Sequence, residues 1–491
     1  MKKILLFIVT ILIVLSVVLF YRANTVFENH QYQVNAPLSP AILDEDAAIE
    51  RLSKAIQIPT VSHENKSIIE ERAFQNFHQY LAESFPLVHA QLDVKNFAKH
   101  SLLYHLKGQN SQLKPVLFVG HLDVIAVNQQ AQSRWQQPPF SGNVVDGVIW
   151  GRGALDNKIS VMALMESMEQ FLAQNQVAQR DIYFAFGHNK ETGGEGAKAI
   201  ANYFAEQNMQ FEFILDEGGA VTKDIIPGTN HPVALVGVAE KSFVNITLRV
   251  AGQGGHSSQP PLETTAAILA KAIVNLEDKP FTAHIKFFDL MFQNIGYDLP
   301  LTNRLAMANL WLFEPLVLDR LLDQSYSAAS VRTTAAATML QASDKSNVLP
   351  IQASAVMNVR IYPGDNLESI IAHMQKAIND PRVIISSDVA SEESLVSSTE
   401  TLGYKLIEST IRRIDDNILV SPYLVQGATD SRHYQKMTDS IYRFVMVTLD
   451  AKSYRQIHGL NEQVSTQDYR NALQFYYAML ELSASGKIIV D

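Results

Sequence analysis

The sequence predicts an α/β fold with a mainly parallel sheet, an inserted α+β sandwich and a membrane-length helix at the N-terminus. Three observations carry that reading. Short apolar bursts at 116–119 (VLFV), 182–186 (IYFAF) and 211–215 (FEFIL) alternate with helical stretches, the pattern of strands buried on both faces. From Phe243 to Val250 the pattern changes to the alternation of a half-exposed strand, and a strand, helix, two strands, helix order follows. From Ile4 to Phe20 the chain is apolar except for Thr10 and Ser16.

Taken in order, Lys2 and Lys3 precede that apolar run and Arg22 follows it, which puts the N-terminus inside and the rest of the chain outside the cytoplasm. Residues 1–23 read as a membrane anchor or a signal. Tyr21-Arg22-Ala23 makes a poor cleavage site, so the reading favours an uncleaved anchor, with a cleaved, secreted form as the alternative. Residues 24–43 are polar, contain Pro37 and Pro40, and read as a tether. A helix starts near Asp44 and opens the first part of the main domain, 44–240, whose helix at 159–172 follows the 3.6-residue period. The sandwich occupies 241–391: a strand at 243–250, a helix at 264–276, strands at 334–341 and 353–362, and a helix at 367–378. A mostly helical insertion at 281–322 interrupts it. The main domain resumes at 392–491 with a helix at 402–412, a strand at 441–447, and a last helix at Ser465, where Asp468 three residues on resembles a capping box.

Bulk properties narrow the chemistry. At 491 residues the chain is too long for one simple core. A net charge of −10 provides no electrostatic footprint for nucleic acid. There is no cysteine, which excludes disulfides, thiolate metal sites and cysteine nucleophiles, so any metal must be held by His, Asp and Glu.

Polar residues gather at the C-terminal ends of the three buried strands. VLFVG runs into His121-Leu122-Asp123, IYFAFG into His188-Asn189-Lys190-Glu191, and FEFIL into Asp216-Glu217-Gly218-Gly219. Open α/β sheets place their sites at such ends. A glycine-rich loop, Gly151-Arg152-Gly153-Ala154-Leu155-Asp156, leads into the helix between the first two strands, and His458-Gly459-Leu460-Asn461-Glu462 follows the last strand. Singly, each has a plain explanation: a histidine after a strand is commonly a loop residue, and an aspartate before a helix is commonly a cap. Their convergence on one sheet edge argues for a site without naming its reaction.

GHLDV, WGRGALDNK, ETGGEGA, LDEGGA, GGHSS, GATDSRHY and IHGLNE occur in this order from about Asp44 to the C-terminus. Together they resemble the dinuclear zinc exopeptidases that include carboxypeptidase S, aminoacylase and glutamate carboxypeptidase. The likeness is greatest to the carboxypeptidase S and N-acyl-amino-acid hydrolase branch. The resemblance implies two zinc ions per subunit. Asp156 would bridge them, with His121 and Asp216 on one and Glu191 and His458 on the other. Asp123 would orient the His121 ring, and the Asp156–Asn157 peptide bond would be cis. It further implies that the inserted domain acts as a lid and a homodimer contact, which a helical insertion can block or replace. His256 would stabilise the oxyanion, often from a partner subunit, and Asn347 and Arg360 would contact substrate. Arg432 is a second candidate for a substrate carboxylate, since a guanidinium fork bonds both oxygens. The implied reaction cleaves an amide next to a free carboxylate, in a small peptide or an N-acyl amino acid.

One residue departs from the family pattern. Where that pattern has Asp-Glu-Glu, this chain has Asn189-Lys190-Glu191, so the ligand is kept and the general base is a lysine. A base carboxylate would leave such a site, hydroxide included, at a formal charge of −1; a protonated Lys190 leaves it at +1. Losing a general base costs about 10²- to 10⁴-fold in rate. Three arrangements remain open: a lysine made neutral by two nearby dications, a side chain swung aside with metal activation alone, or a catalytically silent protein that uses the fold for binding.

Overall fold

The computed structural model describes residues 1–27, 38, 44–63, 65, 68, 70–226, 228–388 and 393–486. The tether, expected at 24–43, lies mostly outside the described residues, as does the boundary expected at 391. Strand Val116–His121 occupies the middle of a ten-stranded sheet, between Ile182–Gly187 on one side and Ile214–Asp216 on the other, and both pairings are parallel. Ile441–Arg443 continues the parallel run beyond Ile214–Asp216. Every residue of the first two strands is buried, as continuous apolar runs require. Helices Lys158–Ala173 and Thr466–Ala484 pack on one face, where Phe118, Phe184, Met165 and Phe475 share a core. Helix Glu195–Glu206 covers the other face, with Val119, Tyr183 and Phe204 in a second core. Asp44 caps helix Glu45–Ile56, and Ser465 caps the last helix by accepting from the Asp468 N–H.

The parallel run is bounded by antiparallel pairs that the apolar bursts do not announce. Ser101–Leu106 runs against Ile182–Gly187, and Val233–Glu240 lies between Ile441–Arg443 and further strands. The expected strands at 211–215 and 441–447 are shorter than their apolar runs. Phe211 and Glu212 bond to loop carbonyls of Met437 and Pro115 rather than to a strand ladder.

A second sheet has the order Thr334–Gln341, Gln352–Ile361, Ser242–Ala251, Val383–Ser387, all antiparallel. Val244, Ile246, Leu248 and Val250 point to one face and form a separate core with helices Thr265–Asp278 and Leu367–Ile378. Val383–Ser387 is a fourth strand beyond the expected three. Within 281–331, helices Lys286–Ile295, Leu301–Met307, Leu310–Leu322 and Ser325–Val331 form the insertion. The N-terminal helix, Lys2–Thr25, is long and apolar enough to cross a membrane, and residues 2–14 are exposed.

Candidate metal centre and cavity

Five chain segments meet at the carboxyl edge of the central strands. His121 ends its strand 1% exposed. Its Nδ1 lies 2.9 Å from the Asp123 carbonyl oxygen, which can only accept, so Nδ1 carries the proton and Nε2 is turned to the site. Nε2 lies 2.8 Å from Asp156 Oδ1. The other oxygen of Asp156 lies 3.0 Å from His458 Nε2, which lies 2.9 Å from Glu191 Oε1. These two bonds push the His458 imidazole up to about 10.

Asp156 is therefore shared by two trios, each with one imidazole and two carboxylates. One trio is His121, Asp156 and Glu217, and the other is Asp156, Glu191 and His458; in each, the ligand atoms lie within 4.8 Å of one another. The structure puts Glu217, not the expected Asp216, in the first trio. The reason is the twofold alternation of a strand end. The Asp216 carboxylate turns away, accepting from the Ser431 N–H at 2.7 Å and the Glu217 N–H at 2.8 Å, while Glu217 faces His121 and Lys190.

The donor set suits zinc, which accepts imidazole nitrogen and carboxylate oxygen, three protein ligands at a time in catalytic sites. Three carboxylates that are mostly buried, Asp156, Glu191 and Glu217, face the Lys190 ammonium, and two of them also face the His458 imidazole. Lys190 Nζ lies 3.0 Å from Glu217 Oε1, 3.3 Å from Asp156 Oδ1 and 3.8 Å from Glu191 Oε2. Burial would lower its pKa, but Asp156, Glu217 and Glu191 outweigh burial and hold it well above the usual lysine value. Burial pushes Glu217 up to about 7, against the pull of Lys190. Lys190 Nζ thus stands among carboxylates of both trios.

Asp123 fixes the loop that carries Lys190 and Glu191. Its Oδ1 accepts from the Lys190 N–H, and its Oδ2 from the Glu191 N–H and the Ser62 hydroxyl. The Asp156–Asn157 bond is cis. Glu462, given no role by the sequence reading, holds the loop on the other side. Fully buried, it pairs with Arg152 and accepts from the N–H groups of Gly153, Leu155 and Asp156 at 3.0, 2.9 and 3.1 Å. Arg152 also donates to the Gly459 carbonyl, so the Asp156 and His458 loops are tied together. The only advance sign of Glu462 was a carboxylate four residues after a candidate ligand. Gly187 and Gly194 leave room for Asp430, whose carboxyl is pushed up to about 7 by burial.

A cavity of about 730 Å³ opens from the trios. Arg360 and Arg432 both line it and both lie over the Phe243 ring, at 5.3 and 5.9 Å from its centroid. Arg360 Nε donates to Asn358 Oδ1, and Arg432 donates to the carbonyls of Thr429 and Gly193. Burial and the neighbouring Arg432 lower Arg360 from the usual guanidinium value. Leu235, Val425, Val445 and Val447 also line it, with Tyr326 and Tyr423, whose hydroxyls are 3.0 Å apart. His256 and Asn347 do not line this cavity. They stand together on an exposed two-stranded ribbon, where Ser257 N–H donates to the Asn347 carbonyl.

Residues 117–482 match the description of Peptidase family M20/M25/M40. The chain is 38% identical over 483 residues to "Probable carboxypeptidase S-like 2" of Dictyostelium discoideum, covering 96% of this chain and 92% of that protein. It is 33% identical over 459 residues to human "N-fatty-acyl-amino acid synthase/hydrolase PM20D1", covering 92% and 91%. Its fold is similar to that of an M20 family metallo-carboxypeptidase from Sulfolobus solfataricus, with a TM-score of 0.66 at 16% identity, covering 89% of this chain and 99% of that one.

Proposed function

This chain belongs to Peptidase family M20/M25/M40, and from that premise we propose that it is a two-zinc hydrolase of N-acyl amino acids, anchored outside the cytoplasm by its N-terminal helix. The observation that carries the reading is the pair of trios sharing Asp156, set in a cavity lined by two guanidinium groups and by apolar side chains. Zinc at these positions would supply Lewis-acid polarisation of the scissile carbonyl and an acidified water. His121, Asp156 and Glu217 would hold one ion, and Asp156, Glu191 and His458 the other. Arg360 and Arg432 bind the free carboxylate of the substrate, each kept in place by its own hydrogen bonds and by Phe243. The apolar side chains of the lining take the acyl chain and exclude water. A relative named for N-fatty-acyl-amino acid hydrolysis supports this choice over a short peptide. His256, exposed and away from the cavity, fits the expectation that this contact comes from a second copy in a homodimer, whereas Asn347, expected to contact substrate, stands outside the cavity beside it.

Lys190 is the observation behind a second reading. Lys190 stands where the family pattern has its general base, so a catalytically silent metal-containing binding protein is the alternative. Acid and amide forms of one N-acyl amino acid, tested alongside a peptide panel, separate the two. The proposed hydrolase cleaves the acid and leaves the amide nearly untouched, and Arg360→Lys raises KM for the acid. Equal rates on acid and amide would end the carboxylate assignment, and no turnover of any compound would favour the silent reading.

A further inference from the structure

We propose that helix Leu310–Leu322 lies in the interface of the same bilayer that the N-terminal helix spans, with Trp311, Leu312 and Leu316 against the outer leaflet. The inference rests on the reading of Lys2–Thr25 as a retained anchor. Among the described residues, the body of the protein holds the C-terminal end of that helix. Arg22 Nε donates to the Ala308 carbonyl at 2.9 Å, and Asn309 Nδ2 donates to the Leu19 carbonyl at 3.2 Å. Ala23 and Phe27 are buried against Met307 and Ala308. These contacts fix the level of the next helix, because Leu310 follows Asn309 directly.

That level can be located along the bilayer normal. The apolar run Ile4–Phe20 rises about 25 Å at ~1.5 Å per residue. A hydrocarbon core is about 30 Å thick. The run is thus no longer than the core, and the core's outer boundary falls at or beyond Leu19 and Phe20, where Asn309 makes its contact. The first turns of helix Leu310–Leu322 sit at this depth. Their outward residues are unlike a solvated helix face: Trp311 is 60% exposed, Leu312 42% and Leu316 65%. Trp311 Nε1 donates to Asn309 Oδ1 at 3.3 Å, so its ring is held in place with one polar edge satisfied, as interfacial tryptophans are. Further along, the exposed residues become charged, with Arg320 and Asp323 in an ion pair at 3.4 Å. Glu314 is exposed between Leu312 and Leu316, while Leu310 and Val317 pack against the cluster that holds Ala23 and Phe27 of the anchor segment, so the helix lies along the anchor with apolar residues and charges together on its outer side, as on a helix resting in a membrane interface. Single exposed leucines are ordinary; three large apolar residues beside a membrane helix make a continuous patch. Helix Ser325–Val331 follows after two residues and brings Tyr326 into the lining of the cavity.

The chain has three tryptophans, and the other two are Trp135, buried, and Trp150, half-buried in the sheet Gln463–Ser465 shares with Val148–Trp150. Fluorescence therefore reads the patch directly. The full chain is reconstituted into phosphatidylcholine vesicles whose acyl chains carry bromine, which quenches only on contact. Co-flotation with the vesicles reports the anchor separately. The expected result is quenching in the parent that disappears in Trp311→Phe, with the variant floating equally well. A floating parent whose emission is unaffected by bromine overturns the inference while leaving the anchor intact, as does quenching that persists in Trp311→Phe. Shielding of Trp311 from both brominated lipid and aqueous iodide overturns it in favour of a second copy of the chain. Failure to float removes the anchor and this inference together. None of these outcomes bears on the hydrolase reading.

Discussion

Asp216 and Glu217 are neighbours in the chain with opposite surroundings. One carboxylate accepts two backbone N–H groups and the other faces an imidazole and an ammonium. The difference makes separable predictions. Glu217→Gln should lower the zinc content from two ions per chain towards one, measured by atomic emission on gel-filtered protein. Asp216→Asn should keep both ions and lose about 1–3 kcal/mol of stability, the range for a disturbed buried hydrogen bond. Loss of metal in the Asp216 variant alone would restore the assignment made from the motif. That motif puts two adjacent acids at the strand end, and only the direction of the strand's last side chain separates them, which is invisible until the register with Val116–His121 and Ile441–Arg443 is known. His121, Asp156, Glu191 and His458 were named in advance through the family resemblance, whose motifs mark one position in each segment, and the trios bring them together. Lys190 is the second test at this scale. A carboxylate in its place starts from the same backbone, held by Asp123, and restores a proton acceptor. Lys190→Glu should raise kcat/KM on the order of 10²-fold. A parent that is already fast and slows on this change would establish lysine as the working base.

Loops, not the strands themselves, hold the two trios in register, and Glu462 is the tie between them. It takes three N–H groups of the loop ending in Asp156 and the guanidinium that also grips the His458 loop. Glu462→Gln leaves Arg152 buried without its counter-charge. Breaking one side of a buried pair costs about 3–5 kcal/mol, so the urea midpoint should fall strongly and zinc affinity with it. A variant of unchanged stability would show that the loops hold themselves. Such ties have no periodicity, and Glu462 reads as an ordinary loop acid until the backbone is folded. Elements with a clear period fared differently. Thr334–Gln341 and Leu367–Ile378 match the expected spans, since alternation and a 3.6-residue repeat are local signals. Val233–Glu240 and Leu419–Val425 pair in parallel with each other yet stand outside the expectation. Pro422 argues against a strand in the second of these, and it is tolerated because Leu419–Val425 pairs only with Val233–Glu240 and leaves its other edge free among the described strands.

At the scale of the molecule, the cavity combines three demands that no single element meets. The carboxyl edge of the large sheet supplies the ligands, the second sheet supplies Phe243 and Arg360, and the helical insertion supplies Tyr326. An N-acyl amino acid has three matching parts: a scissile amide, a carboxylate and an apolar tail. The complete donor set of both trios, one imidazole and two carboxylates each, is the feature that a binding protein without metal would have no reason to keep. Metal and activity should therefore rise together. The decisive measurement is the rate of hydrolysis of one N-acyl amino acid by chelator-treated protein, parent and Lys190→Glu side by side, as zinc is added back. The account predicts no turnover without zinc, a rise that reaches its plateau at two ions per chain, and a higher plateau for Lys190→Glu. Turnover that survives chelation, or none in either protein with both ions bound, would contradict it.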